Sequence, residues 1–247
     1  MMVKSNRILI LFSLLYLLNI TLFAQIKPYT LSIPKESAII VPSVLMLSTA
    51  YIIGKNKPPI IETYINTLNV NSISGFDRTA TSQFHKDFNT LSNITAYGTM
   101  LLPVLHLLNK NTRSDFKNLS VIYAETFLLN TGVTMLTKEW VSRDRPYLYN
   151  SAVPLSEKLN KDAQRSFFSG HTSLAASNSF FFATTFSHYY PNSKLKPWIW
   201  SACAVLPAIT AYSRVKAGKH FPTDVIVGYV LGAAVGVSIP LLHFKNN

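Results

Sequence analysis

The run VIVGYVLGAAVGVSIPLLHF, near the end of this 247-residue chain, contains no Asp, Glu, Lys or Arg. About 20 such residues are what a helix needs to cross the hydrocarbon of a bilayer. Lipid offers no partner for exposed backbone N–H and C=O groups, so the run predicts a helix over 222–243. Its glycines at 228, 232 and 236 recur every four residues and form one small-residue face for close helix packing. Five further apolar stretches precede it, at 38–54, 92–108, 118–142, 171–190 and 197–214. Trp198 and Trp200 suit a membrane interface at the start of the fifth. The stretch at 171–190 is rich in Ser, Thr and Asn and is expected to face other helices rather than lipid. The chain is 48% hydrophobic but only 14% charged, against about 25% in an average soluble domain. The expected fold is all-α: a membrane-embedded bundle of about five to six core helices.

The net charge of +12 bears on partners. Nucleic acid is not expected, because no basic stretch is interleaved with exposed aromatics. An anionic membrane surface or a phosphorylated lipid fits better. The single cysteine, Cys203, lies in an apolar run and reads as a small core residue. Oligomeric state leaves no mark on the sequence.

Residues 1–24 read as a signal peptide or signal anchor: Lys4 and Arg7 precede an apolar run, and Ala24-Gln25 offers a cleavage point. Residues 25–91 form an N-terminal apolar segment and a polar loop, and 92–247 the helical core domain. A second long loop, 147–165, is rich in Tyr, Ser, Asn and Lys. Loops of this length are often functional.

Three short blocks carry the chemistry: KEWVSRDRP, SFFSGHTS and SRVKAGKHFPTD. In the first, Lys138 and Arg145 are seven residues apart, which puts them on nearly one face of a helix. Two stacked cations repel unless an anion lies between them, although alone they equally suit a positive membrane rim. Arg143 and Asp144 are read as pairing with neighbours or with each other, outside the site. In the second, Ser169 suits an N-cap, and the free N–H groups of the following turn suit a phosphate. Gly170 permits a close backbone approach, and His171 stands where a leaving oxygen needs a proton. By itself such a histidine is more often a surface or cap residue. In the third, Arg214 offers a fork for phosphate oxygens, and Pro222 opens the next helix. Asp224, in its first turn, is placed to hold one nitrogen of His220 and leave the other free as a nucleophile. Capping its own helix is the plainer role for Asp224.

The pattern K-x6-R-P, S-G-H, S-R-x5-H-x3-D, carried by residues 138–224, resembles the type 2 phosphatidic acid phosphatase superfamily. That group includes bacterial class A acid phosphatases and vanadium haloperoxidases. The resemblance covers about 92–243. It implies a helical bundle and metal-independent phosphoester hydrolysis, with no metal or other cofactor expected. It implies that His220 attacks phosphorus, that Asp224 orients it, and that His171 protonates the leaving group. Lys138, Arg145, Arg214, Ser169 and Gly170 then hold the phosphate oxygens. One departure is Phe168, where the family usually has proline before Ser-Gly-His.

The leading expectation is an integral membrane phosphatase acting on a lipid phosphate or pyrophosphate. Phosphatidate, phosphatidylglycerol phosphate, undecaprenyl pyrophosphate and lipid A are the candidates. A soluble secreted acid phosphatase is the alternative, followed by a vanadate-dependent haloperoxidase and a non-catalytic membrane scaffold. Lys110, Arg113, Lys117, Lys194, Lys196 and Lys245 lie in loops away from the blocks. The positive-inside rule makes those loops cytoplasmic and the site periplasmic, on a bacterial-type inner membrane. That topology forbids both 8–24 and 38–54 from crossing. The preferred solution makes 8–24 the signal or anchor and lays 38–54 on, or partly in, the bundle.

Overall fold

The computed structural model describes residues 27–245, apart from the side chain of Asn111. The predicted signal or anchor at 1–24 lies outside the described residues. Six long helices carry the fold: α1 (Ile33–Asn56), α2 (Lys86–Gly98), α3 (Phe116–Val141), α4 (Gly170–Tyr189), α5 (Lys196–Lys216) and α6 (Pro222–His243). Each falls on one of the six predicted stretches.

The bundle is built around α4. Its small polar residues Thr172, Ser173, Ser177 and Asn178 are buried, as its composition predicted. Helix α6 packs on it most closely. A Cβ added at Gly228, Gly232 or Gly236 would strike the carbonyl oxygens of Ser169, Ser173 and Ser177 respectively. The glycine stripe therefore brings two backbones into direct contact. Phe182, Ala183, Phe186 and the buried Cys203 form an apolar cluster between α4 and α5.

The outer surface is apolar: Trp198 is 74% exposed, Val230 59% and Leu45 61%. Four helical segments, including α1, α3 and α6, are long and apolar enough to cross a membrane. This surface and these spans support a membrane protein over the soluble secreted alternative.

Two expectations about the helices change. Segment 38–54 belongs to a 24-residue helix that runs the length of the bundle beside α3. One end of α1 lies near His243, where Thr30 N–H donates to the His243 carbonyl. The other reaches Arg165 and Glu139, which would meet a Cβ at Gly54. The Ser43 hydroxyl caps the Ile39 carbonyl at 2.7 Å, and a Cβ at Gly132 of α3 would lie 2.9 Å from the Ser43 carbonyl. Segment 92–108 starts earlier, at Lys86, and gives way after Gly98 to 3-10 turns over Thr99–Leu101 and Pro103–Leu108. Pro103 has no N–H to continue an α-helix.

The polar segment between α1 and α2 folds into short helical turns that cap the bundle at one end. The chain over 147–165 packs with them, burying Ile65, Tyr147, Leu148, Val153 and Ala163 together. The three sequence blocks meet beneath this cap.

Candidate active site

The first block does not form one helical face. Helix α3 ends at Val141, and Ser142 turns left-handed with φ 50°, its N–H on the Lys138 carbonyl. Arg145 follows in extended backbone and approaches from the loop. It still meets Lys138 in one cavity, because the 147–165 loop holds it. Its N–H donates to the Ala163 carbonyl at 2.8 Å, its Nε to the Asp162 carbonyl at 2.7 Å, and its Nη2 to Asp162 Oδ2 at 3.0 Å. Lys138 Nζ donates to the Arg165 carbonyl at 2.7 Å.

Ser169 caps α4, with its Oγ accepting from Thr172 N–H at 3.4 Å. A Cβ on Gly170 would press on Thr134 Cγ2 at 3.1 Å and Lys138 Cε at 3.5 Å. The glycine thus lets the lysine stem lie against the first turn of α4. His171, on that turn, stands edge-on to Tyr97 with ring centroids 5.6 Å apart.

Arg214 ends α5 and is 4% exposed. Its Nη1 donates to Asn89 Oδ1 at 2.9 Å and to Ser92 Oγ at 3.3 Å, both on α2. The chain then turns at Gly218 (φ 66°), where a Cβ would strike the Gln83 carbonyl. Only glycine takes this conformation readily. The turn delivers His220, which is buried.

The hydrogen bonds of His220 set its tautomer. Nδ1 lies 2.7 Å from the Ser166 carbonyl, so it carries the proton and donates. Nε2 is left with a lone pair, 3.4 Å from Arg145 Nη1. Asp224 Oδ2 stands 3.6 Å from Nδ1, too far for a direct bond. The carboxylate instead accepts from Ser166 Oγ at 2.5 Å and from Phe221 N–H at 2.9 Å. The latter bond caps its own helix.

Asp224 Oδ1 takes a 2.5 Å bond from Arg143, the residue that sequence reasoning left outside the site. Arg143 also donates to Thr223 Oγ1 and Asp77 Oδ2, each at 2.8 Å, and lies 4.2 Å over the Phe221 ring. Burial pushes the Asp77 carboxyl up, but hydrogen bonds from Thr223 and Arg143 outweigh it and hold it below the usual range. Asp77, Asn89, Ser92 and Asp162 were also missed. They come from loops or a different helix, and no local spacing marks them.

A cavity of about 270 Å³ opens beside these parts, and Ser169, Arg214 and Asp224 are not among the residues that line it. Lys138, Arg145, His171 and His220 line its polar end, with Asp162 and Arg165. Phe127, Met135, Leu174 and Tyr97 line the other end, and Met135 and Tyr97 are exposed on the apolar outer surface. Burial, then Arg145, Lys138 and Arg214, hold the His220 imidazole well below its ordinary 6.5, so it is neutral at pH 7. Burial raises the Asp162 carboxyl, but Arg145, Lys138, Arg165 and Arg214 outweigh this and lower it. A second anion among these cations is electrostatically favoured.

The fold is a membrane-embedded helical bundle, and the comparisons with known proteins make it that of a phosphatase. The family model described as PAP2 superfamily matches residues 119–247, and the chain belongs to that superfamily. A similar solved structure is that of a transmembrane PAP2-type phosphatidylglycerolphosphate phosphatase from Bacillus subtilis. It shares 21% identity and a TM-score of 0.50, over 81% of this chain and 95% of that one. The all-α membrane bundle is thus common to both.

Proposed function

We propose that this protein hydrolyses a lipid phosphate monoester or pyrophosphate through a phosphohistidine on His220, without a metal. The observation that carries the reading is the Nε2 lone pair of a neutral His220, open to a cavity that runs from buried cations to the apolar surface. In the first step Nε2 attacks phosphorus and the ester P–O bond breaks. In the substrate complex the phosphate dianion offsets the cations around His171, so its ring carries a proton, which it gives to the leaving oxygen. Water then attacks the phosphohistidine, returning a proton to His171 and freeing phosphate and Nε2. Lys138, Arg145, Arg214 and the backbone of Ser169 and Gly170 hold the phosphoryl oxygens as charge develops. Asp224 stabilises the cationic imidazole from 3.6 Å and fixes the Ser166 segment that orients it.

The apolar mouth at Phe127, Met135 and Leu174 suits acyl or isoprenoid chains entering from the bilayer. Phosphatidate, phosphatidylglycerol phosphate, undecaprenyl pyrophosphate and lipid A phosphates all present the required group. The similar Bacillus protein favours phosphatidylglycerol phosphate as the first substrate to try.

Purified protein in detergent is assayed for phosphate release from this panel, with and without vanadate. The wild type turns over at least one lipid and vanadate inhibits it. His220→Ala abolishes turnover, and Arg214→Ala lowers it by about 10²–10³-fold, as for loss of one oxyanion donor. Wild-type turnover by His220→Ala refutes the mechanism.

A further inference from the structure

At the end of the bundle away from the phosphatase site, three residues from three helices converge: Glu36 of α1, Glu125 of α3 and His243 of α6. Glu125 and His243 are both fully buried. Neither carboxylate oxygen of Glu125 has a hydrogen-bond donor among the described residues, and neither do Glu36 Oε1 and His243 Nε2. A buried carboxylate without donors is costly and needs a compensating partner.

The histidine identifies the partner. Its Nδ1 lies 2.9 Å from the Ile239 carbonyl, one turn back on α6, and therefore carries the proton. That leaves the Nε2 lone pair pointing at two carboxylates, 3.3 Å from Glu36 Oε1 and 3.2 Å from Glu125 Oε2. Three acceptors facing one another repel. An imidazole whose second nitrogen is fixed on a backbone carbonyl is the usual form of a metal-ligating histidine. Tetrahedral ligands at about 2.0–2.1 Å from zinc lie ~3.3 Å apart, close to the separation of His243 Nε2 from each carboxylate. The three ligand atoms all lie within 4.8 Å of one another. Lys35, the nearest lysine in sequence, turns its Nζ to the Leu242 carbonyl at 2.8 Å.

We infer that Glu36, Glu125 and His243 bind one divalent cation of the zinc type. One dication cancels the two carboxylate charges and supplies a partner to one orphaned acceptor of each residue. Glu36 also lines an open cavity of about 510 Å³ with Leu31, Ile33 and Val121, so the cluster meets the surface on its α1 side. Such an ion fastens α1, which lies outside the matched family region, to α3 and α6 within it. Its role is separate from the phosphatase chemistry.

The test uses the full chain in detergent, stripped with chelator and titrated with Zn²⁺ alone, with bound metal measured by elemental analysis and calorimetry. The wild type and His220→Ala each take up one equivalent. His243→Ala and Glu125→Gln bind at least about 10–100-fold more weakly, the loss that even outer-shell changes cause. Glu36→Gln, at the partly open ligand, keeps the test valid if the buried variants misfold. It too weakens binding, and wild-type protein loses thermal stability on chelation. A wild type that binds no zinc, or a folded Glu36→Gln protein that binds as the wild type does, overturns the proposal. The first result would mean that a protonated His243 answers the carboxylates instead.

Discussion

Replacing Gly228 by alanine tests whether helix packing sets the geometry of the site. The new Cβ would stand 2.6 Å from the Ser169 carbonyl oxygen and 3.4 Å from the Ser169 nitrogen. Both are backbone atoms, so no rotamer change relieves the clash. Restoring an ordinary 3.4 Å contact requires α6 and the start of α4 to separate by about 0.8 Å. Ser169 caps α4, its N–H donates to the Asp224 carbonyl at 3.0 Å, and it precedes Gly170 and His171. The displacement therefore falls between the proposed acid on α4 and the nucleophile that leads into α6. A misplacement of about 1 Å typically lowers a rate by ~10²-fold, and overpacking costs about 1–3 kcal/mol of stability. The assay is kcat/KM on the best lipid phosphate, beside thermal unfolding of the same preparation. Gly232→Ala makes a still closer clash with the Ser173 carbonyl, one turn further from the site. It should destabilise at least as much and slow the folded enzyme less. Gly75→Ala, with nothing within 4 Å of its Cβ, is the neutral control. Should Gly228→Ala lose activity only in proportion to its unfolded fraction, the coupling of packing to catalysis is wrong.

Two further outcomes are expected. His220 has its folded pKa lowered below the ordinary 6.5, by burial first and the neighbouring cations next. Below about pH 6.5 the unfolded chain then binds a proton that the folded one refuses, so this contribution makes stability fall as pH falls and flattens it above. Unfolding measured between pH 5 and pH 8 checks the sign, and a bound phosphate anion should relieve the acid loss. An acid limb in unliganded stability centred above pH 7 and removed by His220→Ala would contradict it. The second outcome concerns topology. Lys35, Lys110, Lys117, Lys196 and Lys245 lie at the end opposite the site, so a reporter fused after Lys110 should be cytoplasmic. With α1 running the bundle, Lys27 then shares the cytoplasmic side, and a periplasmic site and cleavage of an exported signal at Ala24-Gln25 exclude each other. A reporter found outside the cytoplasm reverses the assignment.

The six helices were legible because lipid-facing runs must be long, apolar and uncharged, and their ends were marked by Pro222, Ser169 and the charged loops. The glycine stripe was legible for the same reason: a period of four on an uncharged helix has few uses besides close packing. The break after Val141 was not. Nothing in KEWVSRDRP says that Ser142 turns left-handed, and the seven-residue spacing imitates two helical turns. Arg145 still meets Lys138, because contacts from 162–163, in a different loop, place it. The partners of Arg143 and Arg214 were hidden more deeply. Asp77 is 66 residues from Arg143, and Asn89 is 125 from Arg214. Contacts at such separations are fixed by tertiary packing and leave no periodicity.

Those hidden partners change how the proposed nucleophile is supported. The sequence suggested a carboxylate bonded directly to His220. In the structure a peptide carbonyl, that of Ser166, receives the imidazole proton, and Asp224 holds the same residue through its hydroxyl. Asp224 thereby ties the second block to the third, since it also binds the Phe221 N–H. Its second oxygen is occupied by Arg143, which is itself fixed on Asp77. The first block thus contributes twice, with Arg145 facing the cavity and Arg143 behind the carboxylate. A neutral carbonyl alone orients the ring but would add little to stabilise it if, as proposed, Nε2 bonds to phosphorus and the imidazole turns cationic. In the proposed mechanism the carboxylate 3.6 Å away supplies that term, and Arg143 holds it in place through its other oxygen. Removing Arg143 should therefore resemble removing Asp224 more than removing a phosphate ligand: the loss falls on kcat, with KM little changed.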